Sequence, residues 1–246
     1  MRLRASLLGV ALVAAGLIVG FYFTRLLHTT PDVIQSSAGT SASGAPTADV
    51  TMTTVGSAGV GVHANWVAYL NSDGQPDTYF KVPAHATVHM TINQQDSGTG
   101  LRNEWLGLVR GVSTTGPDGN TVQNAFSLKT YNKKQYVVQA VGITYNADGS
   151  QSASLSLAGG GSTPPDDGTL IPGHTFTIPD IGVSVPLPGV ANADGSQTNV
   201  ITFDFTAPGP GIYRWQCFVP CGAGTLYGNG GPMQTLGYMA GEMIVQ

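Results

Sequence analysis

The stretch Gly211-Ile-Tyr-Arg-Trp-Gln-Cys-Phe-Val-Pro-Cys-Gly222 is the most informative part of the chain for the fold. In its first half, Tyr213, Trp215 and Cys217 alternate with Ile212, Arg214 and Gln216. This period of two predicts a β-strand with one buried face. Its second half places Cys217 and Cys221 four positions apart, and in an exported protein such a pair forms either a small disulfide loop or two metal ligands.

Other segments of the chain repeat the same alternation. Apolar side chains fall on one face of residues 87–92 and of residues 200–206, and residues 135–141 form a further candidate strand. Asp-Gly turn signals separate these segments, at Asp73, Asp118, Asp148 and Asp194. Charged residues make up only 10% of the chain, beside 34 glycines and 15 prolines, which is too few charges to solvate a helical bundle. The sequence therefore predicts an all-β sandwich or barrel.

Charge and motif content exclude several functional classes. The formal net charge is −4, and no basic run exceeds Lys133–Lys134, so we expect no nucleic-acid partner. The sequence has no recognisable Ser-His-Asp context, no phosphate-binding glycine loop and no paired-histidine helix motif. An independent catalyst is therefore the least favoured of the functional classes.

The N-terminal segment predicts export. Arg2 and Arg4 precede an apolar run from Ala5 to Phe23, which is close to the ~20 residues that a membrane-spanning helix needs. The leading basic residues favour a single-pass anchor with its domain on the extracytoplasmic side. A cleaved signal peptide, which would leave a secreted protein, is the alternative for residues 1–30.

Beyond this segment, the composition predicts one domain. Residues 31–48 are rich in Ser, Thr, Ala, Gly and Pro, which is typical of a flexible linker. No second linker of that kind occurs in residues 49–246, and we interpret residues 158–168 as a long loop within the domain.

Two further segments form a sequence pattern together with the stretch from Gly211 to Gly222. These are Gly173-His-Thr-Phe-Thr-Ile-Pro-Asp-Ile-Gly182 and Gly237-Tyr-Met-Ala-Gly-Glu-Met-Ile-Val245. In this order, the three segments resemble the cupredoxins, including the copper-binding domain of cytochrome oxidase subunit II. The resemblance covers about the last 75 residues well and residues 50–93 loosely. It implies a Greek-key β-sandwich, with an insertion around residues 94–168.

The resemblance also implies a copper site. Its ligands would be His174, Cys217, Cys221 and Met239, with Met233 or Met243 as other thioethers. Imidazole, thiolate and thioether ligands suit copper in both oxidation states. The family's ligand loop carries a further His and Met, where this chain has Thr225 and Gly228, and no histidine follows His174.

Three functions therefore remain open at this stage. The first is a membrane-anchored copper protein that transfers electrons to a redox partner or oxidase complex of a respiratory chain. The second is a metal-free accessory subunit in which Cys217 and Cys221 form a disulfide. The third is a protein that handles Cu(I) through its sulfur atoms without redox cycling.

Overall fold

The computed structural model describes residues 13–21, 36–100, 103–163, 170–222, 224 and 230–246. The chain divides into two units, Met1–Asp32 and Val33–Gln246. In the first unit, residues 13–21 are helical and the rest of the predicted span lies outside the described residues. No helix within the described ranges has both the length and the apolar character to cross a bilayer.

The second unit contains a large sheet, ten-stranded within the described residues. Its main path runs β1-β2-β5-β13-β8-β9-β10; β3 pairs with β2, and β6 pairs with both β13 and β7. These strands are β1 (Ser37–Thr40), β2 (Pro46–Val55), β3 (Ala68–Leu70), β5 (Thr87–Gln94), β6 (Ser113–Thr115), β7 (Thr121–Gln123), β8 (Phe126–Lys129), β9 (Gln135–Tyr145), β10 (Gln151–Leu157) and β13 (Asn199–Thr206).

The small sheet has five described strands in the order β12-β11-β14-β15-β4. They are β4 (Tyr79–Val82), β11 (Pro172–Ile178), β12 (Val183–Pro188), β14 (Gly211–Gln216) and β15 (Ala240–Val245). Short 3-10 helices at Glu104–Gly107 and Pro179–Ile181 connect strands. The all-β prediction is thus confirmed for the described part of the second unit.

Aromatic side chains from both sheets form the core between them. The Phe176 ring of β11 lies 5.0 Å from Trp215 of β14 and 5.8 Å from Phe203 of β13, measured between centroids. All three are almost completely buried. The alternation predicted for β5, β13 and β14 places apolar residues in this core, because successive side chains of a strand point to opposite faces.

Two boundaries differ from those suggested by composition. Within the predicted linker 31–48, residues 37–40 form the edge strand β1 and residues 46–48 begin β2, since Ser37 pairs with Asp49 and Thr47 with Thr87. Small polar residues are compatible with an edge strand as well as with a tether, so composition did not distinguish the two. Within residues 94–168, β8, β9 and β10 extend the large sheet.

The two sheets approach each other closely at one end of β11. A side chain at Gly173 would place its Cβ 2.5 Å from the Ser97 carbonyl oxygen and 2.7 Å from Gln94 Nε2. Gln94 is the last residue of β5 in the large sheet, and Ser97 follows three residues later. Only glycine permits this approach, which brings the next residue, His174, against the large sheet.

Candidate metal centre

His174, Cys217 and Cys221 form a buried cluster. His174 Nδ1 lies 3.2 Å from Cys221 Sγ and 3.9 Å from Cys217 Sγ, and the two sulfurs are 3.4 Å apart. All three residues are at most 4% exposed. One candidate ligand atom from each lies within 4.8 Å of the others, so the three predicted residues are brought together. The prediction concerning their position in space is therefore confirmed.

Adjacent strands of the small sheet create this proximity. β11 and β14 are antiparallel and pair at Thr177 and Gln216, so His174 lies beside the chain that leaves β14. The Phe218 N–H donates to Thr175 Oγ1 at 2.8 Å, and the Thr175 N–H donates to Cys217 Sγ at 3.4 Å. These bonds hold the first sulfur against β11.

The second sulfur is positioned by the turn that follows. The Val219 carbonyl oxygen lies 3.0 Å from Cys221 Sγ and 3.5 Å from Cys217 Sγ. The Cys221 N–H donates to Met233 Sδ at 3.1 Å. Both cysteines are free in the structure, and both are buried.

Asp96, which the sequence motifs did not indicate, completes the arrangement. Its Oδ2 lies 3.0 Å from His174 Nε2, on the opposite side of the ring from the sulfurs. The Ser97 N–H donates to Asp96 Oδ1 at 2.8 Å, and the Val190 N–H donates to the Asp96 carbonyl oxygen at 3.0 Å. A carboxylate on the second nitrogen of a metal-ligating histidine fixes the orientation of its ring.

The charges of these groups depend on one another. Burial lowers the pKa of His174, but its interactions with Asp96 and Cys217 outweigh burial and raise the pKa to about 9. Burial raises the pKa of Asp96, yet its bonds to His174 leave that pKa below its ordinary value. Before a metal binds, the imidazole is therefore held as a cation between a carboxylate and a thiolate.

The two thiols ionise differently for the same reason. Burial raises the pKa of Cys217, but hydrogen bonding from Cys221 and the charge of His174 bring it well below its usual range. The Cys217 sulfur and burial raise the pKa of Cys221 well above its usual range. One thiolate and one thiol are therefore expected in the metal-free site at neutral pH.

The remaining candidate ligands lie in different surroundings. Met239 is fully buried, and its carbonyl oxygen accepts the Cys217 N–H at 2.9 Å, so its backbone adjoins the cluster. Met243 packs in the core. His89, which is not one of the candidate ligands, has an exposed ring that pairs with Asp204 at 2.7 Å. The loop positions Thr225 and Gly228 lie outside the described residues.

A cavity of about 490 Å³ opens beside the cluster. Asp96, His174 and Cys221 line one part of it, and Asn65, Trp66, Val67, Thr99, Pro220 and Pro232 are further lining residues in the described part of the chain. Cys217 is not among the described lining residues. A metal bound by the three donors would therefore have one side facing this cavity.

The fold is distantly similar to those of known copper proteins. Two rusticyanin structures, one a methionine-to-glutamine mutant and one described as a copper protein, share 14% and 16% identity with this chain. Each match covers 86% of this chain and 88% of the other, with a TM-score of 0.33. A multicopper oxidase shares 8% identity over 87% and 94% of the two chains, with a TM-score of 0.22. No protein-family model and no curated protein matches the chain.

The role of Asp96 in holding the ring predicts the effect of Asp96→Asn. Without the carboxylate, burial dominates, so the pKa of His174 should fall well below its value of about 9 in the metal-free protein. Cu(I) affinity measured at pH 9.5 should fall about 10–100-fold, as for other partners of ligating histidines. NMR titration and Cu(I) competition measure the two effects. Asp204→Asn, at the exposed pair with His89, is the matched control, and equal effects of both variants would contradict this role.

The protonation states predict a steep pH dependence of copper affinity. Since the pKa of His174 is about 9 and that of Cys221 is raised, copper must displace about two protons near pH 7, while Cys217 is already ionised. Cu(I) affinity should therefore rise about 100-fold per pH unit between pH 6 and 8 and less steeply above pH 9. Competition against a chromophoric Cu(I) chelator measures this slope. A flat profile would show that the cluster is already deprotonated.

Proposed function

We propose that this protein binds one copper ion through His174, Cys217 and Cys221 and that the site transfers electrons. The observation that supports this most strongly is the convergence of one imidazole nitrogen and two sulfurs within 4.8 Å, in a buried pocket. Thiolate sulfur and imidazole nitrogen are preferred copper ligands. Copper bound there would supply a one-electron centre.

The rigidity of the donors favours electron transfer. Asp96 fixes the ring of His174, the Thr175 N–H fixes the Cys217 sulfur, and the Cys221 backbone is bonded to Met233. Donors that are held in place before the metal binds rearrange little when its charge changes. Such preorganisation lowers the cost of moving an electron.

Cu(I) handling without redox cycling is the second candidate function. Two of the three donors are sulfurs, which Cu(I) prefers. Cys221 and His174 also line the adjoining cavity, which offers a route for the metal to reach the site. The same residues serve both candidates, and the behaviour of bound copper under oxidation separates them.

Copper loading of the reduced full chain tests the proposal. We expect one copper per chain, with Cys217→Ser, Cys221→Ser and His174→Ala each lowering Cu(I) affinity by more than the 10–100-fold effect of losing an outer partner. Oxidation should produce a thiolate-to-copper absorption band that disappears reversibly on reduction. His89→Ala is the control because that ring is exposed and away from the cluster.

The other outcomes of this experiment are equally specific. Stoichiometric copper that stays colourless and leaves the protein on oxidation would favour Cu(I) handling. No copper binding by the native chain would overturn both copper functions. The metal-free accessory subunit would then be the remaining candidate.

We also propose that the N-terminal segment anchors the domain on the extracytoplasmic side of a membrane, where a respiratory chain would provide its redox partner. The support is the apolar run from Ala5 to Phe23 behind two arginines. Within the described residues 13–21, apolar side chains such as Leu17 and Ile18 are each 70% exposed. A helix with exposed apolar side chains is suited to a lipid environment.

Charges placed in this segment test the anchor. The full chain should remain in the membrane fraction after alkaline carbonate extraction. A double variant, Leu17→Lys and Ile18→Lys, should shift to the soluble fraction, because each charge at the centre of a span costs about 3 kcal/mol on insertion scales. The control is the paired substitution Leu17→Ala and Ile18→Ala. A native chain that is soluble and lacks its first residues would identify a cleaved signal peptide instead.

A further inference from the structure

The hydrogen-bond ladder between β11 and β14 ends where the proposed copper donors begin. The two strands are antiparallel, and Thr177 is the partner of Gln216. Two residues further on, a continued ladder would pair Thr175 with Phe218, whose N–H would donate to the Thr175 carbonyl oxygen. Instead, the Phe218 N–H donates to Thr175 Oγ1 at 2.8 Å, and the Thr175 N–H donates to Cys217 Sγ at 3.4 Å. The Thr175 carbonyl oxygen therefore has no donor from this ladder.

Tyr69 of β3 supplies the missing donor from the opposite sheet. Its phenol hydroxyl donates to the Thr175 carbonyl oxygen at 3.0 Å, and both residues are completely buried. On the other side of β11, the partner of Thr175 is Pro186, which has no backbone N–H to donate. A buried carbonyl oxygen without a donor lowers stability. The Tyr69 hydroxyl therefore satisfies a group that neither neighbouring strand satisfies.

The Tyr69 side chain is fixed at both its backbone and its ring. Its backbone N–H donates to the Tyr238 carbonyl oxygen at 2.9 Å. Its ring contacts Trp215 edge-on, with the ring centroids 4.9 Å apart. Burial, more than the negative charge of the nearby cysteine sulfurs, raises the pKa of Tyr69 well above its ordinary range. The phenol therefore keeps its proton and remains a hydrogen-bond donor.

We propose that Tyr69 is a positioning residue of the copper site, which holds Thr175 so that its N–H stays bonded to the Cys217 sulfur. The inference rests on the proposed function and adds a residue that contributes no donor atom to the metal. Without the phenol hydroxyl, the Thr175 carbonyl oxygen would compete with Thr175 Oγ1 for the Phe218 N–H. That competition would extend the ladder by one pair and draw the chain around Cys217 toward β11. Since hydrogen bonding to a ligating thiolate tunes the potential of copper, Tyr69 would act on the metal through this backbone.

Hydrogen exchange in the reduced, metal-free full chain tests the first step. Tyr69→Phe removes the hydroxyl and keeps the ring against Trp215. The Thr175 amide should then exchange with deuterium about 10-fold faster, as expected for the loss of a hydrogen bond that holds this backbone, and NMR measures the rate. Tyr213→Phe is the matched control, because the Tyr213 hydroxyl also donates to a carbonyl oxygen at 3.0 Å, that of Gly209, near the start of β14. It should leave the exchange rate of Thr175 unchanged.

The copper-loaded full chain gives a second measurement. A weaker N–H···S bond leaves more negative charge on the Cys217 sulfur, which favours Cu(II), so Tyr69→Phe should lower the reduction potential. The thiolate-to-copper band should shift to longer wavelength for the same reason. Replacing Tyr69 with 4-aminophenylalanine keeps an N–H donor at the same ring position and should restore both properties. Tyr213→Phe should match the native chain in potential and in band position.

The outcomes distinguish this inference from the copper site itself. If the native chain binds copper but Tyr69→Phe has no larger effect than Tyr213→Phe, the positioning role fails alone. Faster exchange throughout β11 and β14 with an unchanged potential would identify a contribution to stability only, and would also overturn the role. If the native chain binds no copper, the proposed function fails. In that case, and if copper stays colourless, the exchange rate of Thr175 alone decides whether Tyr69 holds this backbone.

Discussion

The imidazole of His174 connects the two sheets, and the geometry of the candidate site depends on it. One ring nitrogen faces Asp96, which follows β5 of the large sheet, and the other faces the sulfurs that follow β14 of the small sheet. The close approach at Gly173 makes this bridge possible, because any larger residue there would separate the strands. The position of the metal donors is therefore a consequence of how the sheets pack, and a change in packing would change the site.

Without a bound metal, the buried charged groups around His174 lower the stability of the folded protein. A cationic ring, a carboxylate and a thiolate are buried together, and desolvation of charged groups opposes folding unless their partners are well placed. A bound copper ion would relieve the arrangement, because it would take the place of the protons on His174 and Cys221. The arrangement is therefore better explained by a binding role than by a contribution to stability, which an apolar core would provide with less penalty.

The sequence predicted the strands more fully than the surroundings of the site. Alternation in β5, β13 and β14 indicated the buried faces, and the motifs around His174 and Cys217 indicated residues that the fold brings together. Asp96 was missed because its partner is 78 positions away and a single carboxylate after a strand has no local signature. The edge strand β1 was missed because its small polar residues also suit a linker, and only pairing with β2 distinguishes the two.

The two copper functions differ in how freely the metal leaves, and the cavity bears on that difference. A copper ion enclosed by four protein donors exchanges slowly, because a donor must depart before another molecule can approach. An ion bound here with one side open to a cavity would be accessible to an incoming donor from that side. Cys221 and His174 lie at that opening whereas Cys217 is fully buried, so release would begin at the former pair. The buried donor set would therefore suit electron transfer, and its access from the cavity would suit metal exchange.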